Sequence, residues 1–324
     1  MRGTRGPSGR FLAAAAALAC AACVPMVGPE DMPRPAGDVV IEGSRVFPES
    51  VTSDAAGNLY NASNAGTIYR TLADSTRALP WIVPDAHNGL KSLFGVFADD
   101  ARGLLWVCNN PNIFARETGT SSLRAFDLAS GQLSASYDFP ADAPAACNDI
   151  ATAKDGTVWA SETIGGRIFV LRPNANELEL FAKGEELVGI DGIALAGDGT
   201  VYINNVRKQL FQRVERKADG SYAGLATLAT SSPLNGPDGL RSMGGNRFIQ
   251  AEGPGGRVAL VEVAGDTATL TDVATGLNGS VGVTVVGRKA YVVEGKIQYL
   301  FDPALKDKSP DPFVIRAFPL PEDK

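Results

Sequence analysis

One short pattern occurs six times along the chain: PESVTSDAAGNLYN, LFGVFADDARGLLWVC, CNDIATAKDGTVWAS, IDGIALAGDGTVYIN, PDGLRSMGGNRFIQA and SVGVTVVGRKAYVVE. Each copy is an apolar strand, a turn containing glycine, and a second strand with an aromatic residue or leucine near its start. The copies are anchored at Val51, Val96, Ile150, Ile193, Leu240 and Val283, at intervals of 45, 54, 43, 47 and 43 residues. Self-similarity at this period is the mark of a propeller, in which each repeat is one four-stranded blade. The fold class expected is all-β, a single six-bladed β-propeller over residues 38–324. Strand order inside a blade reads directly for blade 3, as DIATA, TVWAS, RIFVL and ELELFA. Blade 4 follows as GIALA, TVYIN, QLFQRVE and GLATLAT, with Gly, Asp and Asn punctuating the strands.

Two residues before each anchor stand Glu49, Phe94, Asn148, Asp191, Asp238 and Val281. A propeller gathers these positions at one mouth of its central channel, so three carboxylates and an amide converge. Asp and Asn before a strand are often only turn residues. That explains any one of the four, but not their recurrence in one slot. Carboxylates crowded at one mouth repel each other unless a cation neutralises them. An all-oxygen set without sulfur or imidazole suits a hard divalent ion, Ca²⁺ foremost, with Mg²⁺, Mn²⁺ or Zn²⁺ as alternatives. The expected metal ligands are Glu49, Asn148, Asp191 and Asp238.

The topology also assigns loops to faces. SNAGT, NNPNIFARETGTSS, ETIGG, NNVRK, EGPGGR and VEGK should rim the same mouth. The long blade 2 loop accounts for much of the 54-residue interval and is either a specificity loop or a passive insertion. Asn109, Glu162, Asn205, Glu252 and Glu294 end second strands at this rim, as ligand contacts or as polar caps. Asn148, Asn109, Glu162 and His87 are the candidate substrate contacts. His87 is the only histidine and lies in a connecting loop, where a solvated role is the alternative. Trp81, Trp106 and Trp159 are expected in the blade core.

The motifs PES, CNDIA, IDGIAL and NGPDGL together resemble the senescence marker protein/gluconolactonase family of six-bladed propellers, with diisopropyl-fluorophosphatase as a relative. The resemblance spans residues from about 40 to 300. It implies a central Ca²⁺ or similar ion and hydrolysis of lactones or phosphoester-like bonds. It further implies that Glu49, Asp191 and Asp238 are metal ligands, that Asn148 is a ligand or substrate contact, and that Asp238 is the catalytic nucleophile or general base. Two positions depart from that family. Asp191 stands where an Asn is common, and Ala146 stands where sugar-lactone members often carry Arg, which speaks against a gluconolactone-type substrate. The function expected is a metal-dependent hydrolase of lactones or related esters. The alternative is a non-catalytic propeller with a structural metal and a ligand-binding or partner-binding mouth.

Composition bounds the partners and the compartment. Net charge is −6, and Arg2, Arg5 and Arg10 precede Cys23, so a processed chain would be near −9. That argues against nucleic acid. The run FLAAAAALA after those arginines has the length of a signal core, and LACAAC resembles a lipoprotein cleavage box. Residues 1–23 are therefore expected to be a signal peptide and 24–37 a disordered Pro-rich tether. The protein is expected to be exported to the periplasm, lipid-anchored at Cys23 or Cys20 or else secreted, with no other membrane contact, and monomeric. Cys108 and Cys147 sit on the mouth side of neighbouring blades, either paired or as two buried thiols. Two segments compete to close the ring, DVVIEGSRVF before Glu49 and PFVIRAFPL near the C-terminus.

Overall fold

A computed structural model describes Gly3 and residues 32–140, 144–305 and 307–322; apart from Gly3, the expected signal peptide lies outside the described residues. The chain forms six antiparallel blades around a central channel. Blade 1 comprises Pro48–Ser53, Leu59–Ser63, Ile68–Thr71 and Arg77–Ile82. Blade 2 comprises Ser92–Asp99, Leu104–Asn110, Ser122–Asp127 and Leu133–Asp138. Blade 3 comprises Cys147–Thr152, Val158–Glu162, Arg167–Leu171 and Glu179–Lys183. Blade 4 comprises Ile190–Leu195, Val201–Asn205, Leu210–Arg216 and Tyr222–Thr227. Blade 5 comprises Pro237–Ser242, Arg247–Glu252, Arg257–Ala264 and Thr267–Ala274. Helical segments are confined to short turns, and among the described residues no helix is long and apolar enough to cross a membrane.

Both terminal segments close the ring. Blade 6 takes Ser280–Val286 and Lys289–Glu294 as its inner strands and Phe313–Pro319 as its third. Val39–Ile41 supplies the fourth, antiparallel to the third with Val39 opposite Ile315. Val40 and Ile41 also run parallel to the outer strand of blade 1, opposite Arg77 and Ala78. The two segments occupy different strand positions and do not compete. Joining the first and last blades this way pairs the outer strand edge of blade 1 across the seam.

Within the segment expected to be a disordered tether, residues 35 and 36 bond to blade 6. The Tyr291 hydroxyl donates to the Pro35 carbonyl at 2.5 Å, and the Lys289 ammonium donates to the Ala36 carbonyl. Gly57 makes room for this segment: a Cβ there would fall 1.7 Å from the Pro33 oxygen.

The apolar core is divided into six layers, one between each pair of neighbouring blades. Between blades 1 and 2 it holds Tyr60, Ile68, Val96, Leu105 and Phe126; between blades 3 and 4 it holds Trp159, Ile168, Ile193 and Val214. Inner strands are buried on both faces, which is why they read as continuous apolar runs. Outer strands alternate, as in Leu133–Asp138. Trp106 and Trp159 are buried in these layers, and Trp81 is half-buried against Tyr60.

Candidate functional site

Every innermost strand breaks its pairing register at the mouth end. The shifts lie between Pro48 and Ser50, Leu93 and Val96, Cys147 and Ile150, Ile190 and Ile193, Pro237 and Leu240, and Ser280 and Gly282. A bulge frees residues from the ladder and re-aims their side chains. The freed residues include Glu49, Asn148, Asp191 and Asp238, and all four line one small central void. The structure thus brings together the four expected metal ligands from blades 1, 3, 4 and 5. The blade 2 position, Phe94, turns its ring away into the layer between blades 2 and 3. Val281 of blade 6 lines the void as its apolar side.

Asn148 has a defined orientation. Its Nδ2 donates to Thr163 Oγ1 at 2.8 Å and to Asp191 Oδ2 at 2.9 Å. Both amide hydrogens are used, so Oδ1 is the atom this side chain has to offer a cation. Asp191 Oδ1 is buried with no hydrogen-bond partner among the described residues. The Asp191 and Asp238 carboxylates lie within hydrogen-bonding reach of one another. Burial first, then Asp191 and Glu49, hold the Asp238 carboxyl well above the usual range. Burial and Asp149 push Asp191 up to about 7, against hydrogen bonds from Asp238 and Asn148 that lower it. Glu49 is raised by burial and by Asp191 and Asp149, while Arg241 lowers it.

These observations test the fit of a hard cation. Among the described residues no three acidic, thiol or imidazole groups stand at the spacing of a preformed metal cage. The donor chemistry nevertheless fits. The set is oxygen only, Asp191 has an orphaned oxygen, and the carboxyls are raised by burial and then by neighbouring carboxylate charge, a penalty a divalent ion relieves.

The sequence reading missed a second charged pair directly beneath this cluster. Arg241 Nη1 meets both carboxylate oxygens of Asp149 at 2.8 Å. Its Nη2 donates to Ser50 Oγ and to the Val96 carbonyl, both at 3.1 Å. Asp149 also accepts from the Ile193 amide at 3.3 Å, so the pair ties blades 1 to 5 across the channel. The signal for it was present. The position following each ligand slot is glycine in blades 2, 4, 5 and 6, because the next inner strand passes too close for a side chain. A Cβ at Gly95, Gly192 or Gly239 would fall 2.3, 2.5 or 2.7 Å from the neighbouring carbonyl oxygen. Ser50 and Asp149 are the two exceptions, and Arg241 is the one charged residue just past an anchor. An acid in a glycine slot needs a countercharge.

The rim residues have a different role from the one expected of Asn109 and Glu162 as substrate contacts. Glu162 is fully buried and accepts the amides of Ala146, Ile164 and Gly165 at 2.9, 2.8 and 2.9 Å. It also pairs with Arg167 at 2.8 Å. Asn109 accepts the Lys91 amide at 2.8 Å, and Glu252 and Glu294 accept those of Asn235 and Asn278 at 2.9 and 2.7 Å. In each case the side chain caps the backbone entering the inner strand, an obligation that leaves it little capacity for a ligand. His87 is exposed in a turn, its amide bound to Asp85, and it does not join the cluster.

Cys108 and Cys147 are disulfide-bonded across blades 2 and 3, with Cα atoms 5.2 Å apart. The Asn110 side chain holds both the amide and the carbonyl of Cys147 at 2.9 Å, immediately before Asn148.

A family model described as strictosidine synthase-like, N-terminal, matches residues 37–71. No curated protein matches the sequence. Among solved structures, the chain is similar to a gluconolactonase from Xanthomonas campestris, at 16% identity and a TM-score of 0.63, covering 86% of this chain and 87% of that one. It is also similar to regucalcin, a calcium-binding protein from Agrobacterium tumefaciens, at 15% identity and a TM-score of 0.63, covering 90% and 97%. The major allergen Mala s 1 of Malassezia sympodialis aligns at 12% identity and a TM-score of 0.67, covering 87% and 96%. The resemblance carried by the short motifs thus extends over the whole propeller fold. A fold shared by proteins so differently described does not assign an activity.

Proposed function

We propose that this propeller of gluconolactonase and regucalcin type is a divalent-cation-dependent hydrolase of lactones or related esters. The observation that carries the reading is the convergence of Glu49, Asn148, Asp191 and Asp238 from four blades, with Asp191 Oδ1 left unpartnered. These four residues would hold the ion. When bound, the ion supplies a Lewis acid for an ester carbonyl. Asp238, half-buried like Glu49, is the group that takes a proton from water or attacks the carbonyl itself. Asp191 and Asn148 hold their oxygens toward the ion, and Thr163 fixes Asn148. The nearly buried Asp149–Arg241 pair borders the cluster through Asp149.

The test is a panel of lactones and aryl esters assayed with Ca²⁺, Mg²⁺, Mn²⁺ and chelator. Hydrolysis that appears with cation and disappears with chelator supports the reading. Cation binding with no turnover of any substrate supports the second reading, a non-catalytic propeller with a structural metal. That reading is favoured by one observation: the polar rim side chains are consumed by backbone caps.

We also infer export. The Cys108–Cys147 disulfide supports an oxidising compartment, and the basic, then apolar, then cysteine-containing N-terminus supports periplasmic delivery with a lipid anchor at Cys23 or Cys20.

A further inference from the structure

One acid borders the central void without being free to serve it. Asp149 lines the same void as Glu49, Asn148, Asp191 and Asp238, but Arg241 Nη1 holds both its carboxylate oxygens at 2.8 Å. The slot it fills is glycine in four blades and serine in blade 1, so the fold itself does not require an acid there. The guanidinium is fixed from four blades. Nη1 also donates to the Leu240 carbonyl of its own strand at 2.8 Å, and Nη2 donates to Ser50 Oγ and the Val96 carbonyl at 3.1 Å. Two of these partners, Ser50 and Asp149, directly follow the ligand slots Glu49 and Asn148. In so buried a place a fixed charge is poorly screened. The cluster senses both members of the pair. After burial, Asp149 is among the charges that raise the Glu49, Asp191 and Asp238 carboxyls, and Arg241 lowers Glu49.

Resting on the reading of the central cluster as a cation site, we propose that the Asp149–Arg241 pair sets the charge of that site, with Arg241 as its specificity-determining residue. Arg241 cancels Asp149, so an ion in the void meets the three negative charges of Glu49, Asp191 and Asp238 rather than four. That balance suits a divalent ion, and a fourth carboxylate would shift the site toward more highly charged ones. A mere strut between blades needs shape and hydrogen bonds, and its loss can only loosen the ligands. A charge-setting pair has a sign: losing the cation and losing the anion act in opposite directions on affinity. The Coulomb energy of one added charge is proportional to the charge of the ion, so a trivalent ion responds about one and a half times as strongly as a divalent one on a logarithmic scale.

The experiment is calorimetric titration of the full chain with Ca²⁺ and with La³⁺, an ion of similar radius, and it reads binding without turnover. Arg241→Met should bind Ca²⁺ at least about tenfold more tightly than the parent, and La³⁺ about thirtyfold more tightly. Asp149→Asn should weaken Ca²⁺ binding about tenfold, because it leaves the guanidinium charge bare beneath the ion. The double variant Arg241→Met/Asp149→Asn should return to within about threefold of the parent, as should Arg241→Lys, which keeps the charge. Ca²⁺ affinity that falls or stays unchanged in Arg241→Met, or a gain no larger for La³⁺ than for Ca²⁺, overturns the proposal and makes the pair a strut. Should Arg241→Met not fold, the other variants decide: the second substitution must recover the affinity that Asp149→Asn loses. A double variant that binds no better than Asp149→Asn overturns the proposal while leaving the cation site standing. A parent protein that binds neither ion removes the cation reading itself, and the proposal with it.

Discussion

The Arg241 guanidinium reaches from blade 5 to both carboxylate oxygens of Asp149 on blade 3, at 2.8 Å, across the central channel. The pair is nearly buried, its side chains 8% and 4% exposed. Removing one partner strands the other charge in the channel. Arg241→Met should cost about 3–5 kcal/mol. The double variant Arg241→Met/Asp149→Asn should cost clearly less than the sum of the single losses, because it leaves no bare charge. Urea denaturation of the three variants measures this.

Glu162 should behave as a structural residue. It satisfies three backbone amides and Arg167 at the mouth of blade 3. Glu162→Ala should lower stability by about 3–5 kcal/mol. KM for any hydrolysed substrate should stay within about twofold, a change of under half a kcal/mol. A large rise in KM at unchanged melting temperature would return Glu162 to the substrate site.

The cation should set the pH dependence of stability. Burial and Asp149 push the Asp191 carboxyl up to about 7, and Asp238 and Glu49 are raised as well. In chelator these groups retain protons in the folded state that the unfolded chain releases near pH 4. Stability should therefore be greatest below about pH 4 as far as these groups are concerned, and fall as pH rises through about 7. Ca²⁺ at about a hundred times its Kd should restore roughly 2.7 kcal/mol at neutral pH. Asp191→Asn should weaken cation affinity and flatten its pH dependence. Melting curves across pH, with and without Ca²⁺, and metal titration of both proteins provide the measurements. Identical affinity and pH dependence would mean that Asp191 does not sense the ion.

Asp238 and His87 should separate sharply. Asp238→Asn should abolish hydrolysis, a loss of at least about a hundredfold, and keep the fold, since the reaction needs a carboxylate beside the ion to take the proton or attack. His87→Ala should retain most activity, because His87 is exposed in a turn and does not join the cluster. The reverse pattern in steady-state kinetics would reverse the roles.

Reduction of the Cys108–Cys147 bond should cost about 4 kcal/mol, the loop-closure expectation for a link between cysteines 39 residues apart. The Asn110 clamp on Cys147 should keep Asn148 in place, so Ca²⁺ affinity of the Cys108→Ser/Cys147→Ser variant should fall much less than its stability. Calorimetry beside thermal melting separates the two effects.

The number of blades, the strand order and the meeting of Glu49, Asn148, Asp191 and Asp238 were legible in the linear chain. A repeat places equivalent residues at equivalent points on a ring, so a slot in the sequence becomes a place in space. What depends on contacts between different slots was not legible. Asp149 and Arg241 occupy different positions in different blades, and only the closure of the ring brings them within 2.8 Å. The seam was ambiguous for the same reason, since Val39–Ile41 and Phe313–Pro319 become neighbours in one blade only through their register. Glu162 and Asn109 looked available because residue type shows polarity and not satisfaction; their partners are backbone amides of the incoming inner strand. Whether Cys108 and Cys147 pair, and where Phe94 turns its ring, were likewise decided by how blades 2 and 3 pack. Periodicity determines which residues share a level of the propeller, and interblade packing decides which of their atoms remain free to bind.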